Sequence, residues 1–213
     1  PFDPAFPPEL KALSASDSKK NGKLTRTKSS VPAEKLRAIQ ECFVAPPLRY
    51  RMPREQVRAN YEKADALCRK AIAEHPQAPD LWIVRNRRMV ALLGLWNLDS
   101  DQGYLERAVG EAKSALGEEC PPGTDVVARF CLAREAFRAG GTDSKAVIGD
   151  FIEAAGGQKA PGSALAAAAI LALDVGERPL HDRYRRAILD KHTENPMMWS
   201  ANSFLLDRFH RYW

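Results

Sequence analysis

Residues 54–82, REQVRANYEKADALCRKAIAEHPQAPDLW, decide how the rest of the chain is to be read. Their apolar positions Val57, Tyr61, Ala64, Cys68, Ala71 and Ile72 step by threes and fours, which places them on one face of a helix over Arg54 to Glu74. The run His75-Pro76-Gln77-Ala78-Pro79 must end that helix, because proline lacks the N–H that the hydrogen-bond ladder needs. Asp80 is placed to open the next helix, in which Trp82, Met89, Leu93 and Trp96 share a face.

The same alternation extends in both directions. Upstream, a short helix is predicted from Pro32 to about Val44, and Pro46, Pro47 and Pro53 separate it from the long one. Downstream, Asp99 and Ser100 punctuate before a helix over Tyr104 to Leu116. Pro121-Pro122-Gly123 then precedes one over Thr124 to Ala139. Gly140-Gly141 stops that helix, and Asp143 or Ser144 caps the next, which carries Val147, Ile148, Phe151 and Ile152. A segment over Ser163 to Val175 follows; apolar all round from Ala164 to Leu173, it should be the most buried helix. Two more are expected, over Pro179 to His192 and Pro196 to Trp213. No period-two strand of useful length occurs, so the fold class is all-α.

Prolines that close one helix and lead into the next stand at Pro76, Pro121, Pro161 and Pro196, and each interval holds two helices. A helix pair recurring at that length marks a solenoid, in which no pair can bury its own apolar face alone. One stretch resembles a tetratricopeptide repeat. The second helix of that family carries an aromatic, an alanine, a bulky residue, an alanine and a proline at fixed offsets, occupied here by Tyr61, Ala64, Cys68, Ala71 and Pro76, with Trp82 where the next first helix expects tryptophan. Leu105, Ala108, Ala112 and Ala115 repeat the offsets, Cys120-Pro121 closing one residue late. The family's Leu-Gly pair is replaced by Arg85-Asn86. The resemblance covers about residues 54–120 and is architectural over 121–213, where Val147, Phe151 and Ala154 keep the spacing more loosely. It implies a right-handed α-solenoid of antiparallel helix pairs over residues 32–213, preceded by an extended arm over 1–31.

Composition agrees with one folded body and an appendage. The 213 residues are 45% apolar and 28% charged, too apolar for disorder throughout. The longest uninterrupted apolar run, Ala164 to Leu173, is about half of the roughly 20 residues a membrane helix requires. Net charge is +5, but residues 1–60 hold 12 basic and 6 acidic side chains, so the remaining chain is close to neutral. That distribution argues against nucleic acid as the main ligand, since a nucleic-acid-binding domain spreads a basic stripe over its folded surface. The arm opens with four prolines in eight residues and continues through Lys19, Lys20, Lys23, Arg26 and Lys28 with little to bury. It is either a flexible tail or a segment ordered along a partner, with Phe2 and Phe6 as anchors. The start at Pro1 predicts a processed or trimmed beginning.

No catalytic constellation stands out. The histidines at 75, 181, 192 and 210 lack metal-ligand spacing, and no nucleophile elbow, phosphate loop or dinucleotide fingerprint is present, so neither enzyme activity nor a cofactor is expected. Cysteines at 42, 68, 120 and 131 read as core thiols, with a Cys120–Cys131 bridge as the alternative. Binding is the better expectation. Arg85 and Arg88 share a helix face beside Trp82, on the helix that lines the concave side of such a solenoid. They either grip a carboxylate or acidic peptide, or pair with acids such as Glu106 or Glu111. Arg183, Arg185 and Arg186 around Tyr184 form a second cluster, with Arg183 and Arg186 as its binding candidates. The aromatic end from Phe204 to Trp213 predicts an interface or a continuing chain. The expectation is therefore a protein–protein interaction scaffold or complex subunit that holds a protein partner through an acidic or extended segment. Its alternatives are a helical domain of a larger enzyme or redox protein, and a nucleic-acid-associated protein that uses the basic arm.

Overall fold

The computed structural model describes residues 30–43, 52–117, 122–140, 143–160 and 162–191. Phe2, Phe6, Cys120, the helix expected over 196–213 and Trp213 lie outside the described residues, as does the arm up to residue 29. Within them every regular element is helical: α1 (Ala33–Gln40), α2 (Arg54–Glu74), α3 (Leu81–Asp99), α4 (Gln102–Leu116), α5 (Pro122–Ala139), α6 (Ser144–Ala154), a 3₁₀ turn (Gly157–Lys159), α7 (Gly162–Asp174) and α8 (Arg178–Lys191).

Local chemistry sets the boundaries. Pro53 stands at the entrance of α2, and the helix stops at His75, whose N–H donates to the Ala71 carbonyl. α3 ends on Ser100 in the left-handed region at φ 58°, after which the Asp101 carboxylate accepts from the Gly103 N–H and caps α4. Asp143, one of the two candidate caps, accepts from the N–H groups of Lys145 and Ala146 at the start of α6. Asp80 behaves differently from a cap. Its carboxylate makes no capping bond to α3 and instead accepts from the Val31 N–H at 2.9 Å. Val31 is buried, so the chain is fastened to the start of α3 just before α1 begins.

Each helix packs on the next, and the odd-numbered helices also touch in series, α1 on α3, α3 on α5 and α5 on α7. This places α3, α5 and α7 inside and explains their composition. α3 is flanked by α1, α2, α4 and α5, and its whole stretch Met89–Leu95 is buried. α7 is buried from Ala164 to Ala172, as its all-round apolar sequence predicts, and its alanines let neighbours approach closely. The even helices α2 and α4 are amphipathic: Glu62, Lys63, Arg69 and Lys70 of α2 and Glu106, Arg107 and Lys113 of α4 are exposed.

The repeat positions behave as the resemblance implies in the first two copies. Tyr61, Ala64, Cys68 and Ala71, and Leu105, Ala108, Ala112 and Ala115, are each at most 5% exposed. In the third, Phe151 is buried but Ala154 is exposed, because α6 ends at that residue and has no further turn to pack. The substitution of Arg85-Asn86 for the family's Leu-Gly does not loosen the α2–α3 contact. The close approach is made further along α3, where Gly94 lies against the Tyr61 ring.

Cys42, Cys68 and Cys131 are free buried thiols, so a Cys120–Cys131 bridge is not formed and the core-thiol expectation describes all three. Burial pushes the Cys68 thiol up, helped by Asp65 nearby, and pushes Cys131 up from 9.0 to about 12. A proton held more tightly in the folded state gives stability that is complete below the unfolded value. That stability is lost as pH rises from about 9 toward the folded value, because only the unfolded chain ionises. The expected slope is about 1.4 kcal/mol per pH unit for each thiol. Urea midpoints at pH 8, 9 and 10 for the native chain and for Cys131→Ala should show a shallower decline in the variant. Parallel declines would refute the assignment.

Candidate partner-binding surface

The first arginine cluster is directed inward. Arg88 of α3 donates through Nε to Asp65 Oδ1 of α2 at 2.8 Å and through Nη1 to Glu111 Oε1 of α4. Arg85 donates to Glu111 Oε2 at 2.9 Å, and Arg107 of α4 to Asp65 Oδ2 at 3.1 Å, while Arg69 stands 3.5 Å from the same carboxylate. The side chains of Asp65, Glu111, Arg85 and Arg88 are all under 15% exposed. The carboxylates that Arg85 and Arg88 grip are thus the chain's own, Glu111 among them as the sequence allowed, and their forks tie three consecutive helices together. Arg87, between them, is buried with its guanidinium 5.5 Å from the Phe43 ring centroid. Trp82 is half-buried on the first turn of α3.

The second cluster is directed outward. Arg183 and Arg186 lie three residues apart on α8, one turn from each other, and both are exposed. Neither makes an ion pair or hydrogen bond among the described residues. Tyr184 between them is half-buried against the main core, so the backbone that carries the two arginines is fixed. The two clusters look alike in sequence. They differ because α3 has a carboxylate-bearing helix on each side, whereas α8 is the last described element and packs on α7, which is almost wholly apolar.

Two further features carry little or no local sequence signal. Between α1 and α3 lies a cleft of about 320 Å³, walled by Leu36, Ile39, Ile83 and Val84 with Arg37 and Gln40 of α1 and Arg87 of α3 on its lining. Among the described residues the exposed Arg37 makes no ion pair, and Gln40 Oε1, shielded from solvent, has no hydrogen-bond donor. Nothing in the local sequence marks Gln40. The second feature is Arg134 of α5, which donates to Asp174 of α7 and lies 4.4 Å from the Trp96 ring of α3, so one side chain spans three successive odd helices. Its spacing of four from Phe130, 5.8 Å away, is the one clue that an aromatic contact was available.

Among the described residues no group of three or more His, Cys, Asp or Glu side chains is placed to hold a metal, and no helix is long and apolar enough to cross a membrane. His181 is buried, its Nδ1 at 3.0 Å from Asp182 Oδ1. No protein-family model, curated protein or solved structure matches this chain.

Proposed function

We propose that the chain is a right-handed solenoid resembling tetratricopeptide repeats that acts as a non-catalytic interaction scaffold or accessory subunit, holding a protein partner that carries acidic or extended segments. The observation that carries this reading is the contrast between the two arginine clusters. Arg85 and Arg88 are neutralised by the chain's own carboxylates, while Arg183 and Arg186 are exposed and make no pair among the described residues, on a helix whose other face is anchored in the core. Two guanidinium forks one turn apart match carboxylates on a partner segment. The series of odd helices supplies the rigid body that holds them in place.

Affinity purification of the full chain from its native source, followed by titration of the recovered partner, tests this. The double charge reversal Arg183→Glu/Arg186→Glu should weaken binding at least about 100-fold, since each charge-assisted hydrogen bond is worth about 1.5–3 kcal/mol and both are lost. Because both side chains are exposed and make no pair among the described residues, the melting temperature should stay within about 2 °C of the parent. A stoichiometric partner bound equally well by the double variant would remove α8 from the interface. Absence of any stoichiometric partner would overturn the scaffold reading.

A further inference from the structure

α1 is seated on the α2–α3 pair as a helix in a groove. Val31 and Ile39 are buried in one cluster with Cys68 and Ala71 of α2 and Leu81 and Val84 of α3, and Leu36 and Phe43 pack against it. Leu36, Ile39 and Phe43 stand at i, i+3 and i+7, the spacing with which an amphipathic helix anchors. Phe43 lies just past the helix, on a turn in which the N–H groups of Cys42 and Phe43 donate to the Ile39 and Gln40 carbonyls. Its ring centroid is 6.1 Å from that of Tyr61 in α2, and 5.5 Å from the Arg87 guanidinium of α3. Polar bonds fix the register. The Lys35 ammonium of α1 donates to Glu74 Oε2 and, at 3.0 Å, to His75 Nε2 at the end of α2, while the Val31 N–H donates to Asp80 Oδ1 at 2.9 Å. The opposite face of α1, with Ala33, Glu34 and Arg37, is exposed.

The two sides of this contact differ in how much they depend on it. α1 has 8 residues, and Pro32 at its entrance makes no side-chain cap. An isolated helix in water needs about 12–15 residues, so the groove is what keeps α1 helical. The groove does not need α1 in return: α2 and α3 pack on each other, and α3 packs on α4 and α5 besides. α1 is therefore the element that opens at least cost, and opening it leaves an apolar groove flanked by the Glu74 carboxylate. A longer helix with the same side-chain pattern loses less conformational freedom on entering than α1 does. We propose that α1 is a displaceable plug in a helix-binding groove, whose second occupant is an amphipathic helix of a protein partner. That helix is longer than α1, carries apolar side chains in the register of Leu36, Ile39 and Phe43, and has a lysine next to the first of them to reach Glu74. α1 is then an autoinhibitory contact, because the partner helix and α1 exclude each other. The inference is independent of the α8 surface, whose test reads a different element.

Hydrogen exchange of the full chain reads the opening. Corrected for intrinsic rates, α1 amides should exchange at least about 10-fold faster than those of the buried stretch Met89–Leu95, because α1 leaves while α3 stays packed. The probe is a synthetic peptide of the Val31–Phe43 sequence, lengthened at its C-terminal end by helix-forming Glu-Ala-Ala-Ala-Lys units. By holding each vacated groove it should speed α1 exchange in proportion to its concentration, by about 10-fold at about ten times its dissociation constant, with Met89–Leu95 unmoved. In methyl-labelled full-length Ile39→Asp, whose α1 is loosened, nuclear magnetic resonance gives a second reading. The peptide should return the Ile72 and Ile83 methyls toward their parent positions and leave those of Ile148, Ile170 and Ile188, in the main core, in place. Both exchange readings use the parent chain and stand even if Ile39→Asp fails to fold. Equal exchange in α1 and Met89–Leu95 would overturn the proposal, as would α1 exchange that the peptide leaves unchanged. So would an equal effect from a peptide that itself carries Ile39→Asp, since binding would then lie outside the groove.

Discussion

Gly94→Ala is expected to destabilise the chain by about 2 kcal/mol, against the usual sign of that substitution. In an open helix interior, replacing glycine by alanine gains up to about 1 kcal/mol, because glycine loses more backbone freedom on folding. At position 94 a Cβ would stand 2.5 Å from Cε2 of Tyr61 and 2.8 Å from its Cδ2 and Cζ, well inside contact distance. The ring cannot swing clear, since Tyr61 is 5% exposed and faces Phe43 at a centroid distance of 6.1 Å. Overpacking of this kind costs about 1–3 kcal/mol in well-packed cores, and here it is imposed at the α2–α3 seam by atoms that are part of a rigid ring. Gly110 supplies the control on the next helix. A Cβ there meets nothing within 4 Å, so Gly110→Ala should stabilise by about 0.5–1 kcal/mol. Thermal unfolding should show the two alanines moving the midpoint in opposite directions, Gly94→Ala down by about 6 °C. Combining Gly94→Ala with Tyr61→Leu should recover part of the loss; a pair that adds without recovery would mean the ring is not the obstacle.

That glycine also shows what the sequence made legible. Helix positions were readable because they follow from neighbours in the chain: proline and glycine punctuation, capping aspartates and a 3.6-residue apolar period act over a few residues. The buried face of α2 and the matching face of α4 came from the same local signal. So did the all-round burial of α7. Gly94 lay in plain view within Met89–Trp96, an apolar run where a lone glycine has a packing reason, yet the partner that supplies the reason is Tyr61 on another helix.

Charges were legible in kind but not in partner. Arg85, Arg88, Arg183 and Arg186 all read as surface candidates, and only the packing of helices separates the first two from the last two. The pairs that matter span 23 residues for Arg88–Asp65 and 40 for Arg134–Asp174, a separation set by tertiary packing rather than by any local period. Asp65 itself carried no signal. It sits between Ala64 and Ala66 on a helix whose other acids are exposed, and burial singles it out only once α3 and α4 are in place.

Asp65→Ala should be the most damaging single polar substitution in the described body, costing about 3–5 kcal/mol, the range measured when one member of a buried ion pair is removed. The reason is what it leaves behind. Arg88 is 14% exposed and divides its donors between Asp65 on one side and Glu111 on the other. Without Asp65 its Nε loses its acceptor, and two inward guanidiniums must share the single carboxylate of Glu111. Arg69→Ala, removing a 57% exposed partner of the same carboxylate, should cost no more than about 0.5 kcal/mol, as for other exposed pairs. The double change Asp65→Leu/Arg88→Met removes both charges and fills the space with apolar groups, and should lie within about 1 kcal/mol of the parent, since buried pairs repay little beyond their own desolvation. Urea unfolding of these variants together with Asp65→Leu and Arg88→Met closes the cycle, and a double-variant loss equal to the sum of the two single losses would show the two charges to be energetically independent. The outcome also bears on binding. Alanine at Arg85 or Arg88 would disturb the seam among α2, α3 and α4, so a loss of partner affinity in those variants counts as recognition only if the unfolding midpoint is unchanged. At Arg183 and Arg186 that ambiguity does not arise, because neither side chain holds any described part of the fold together.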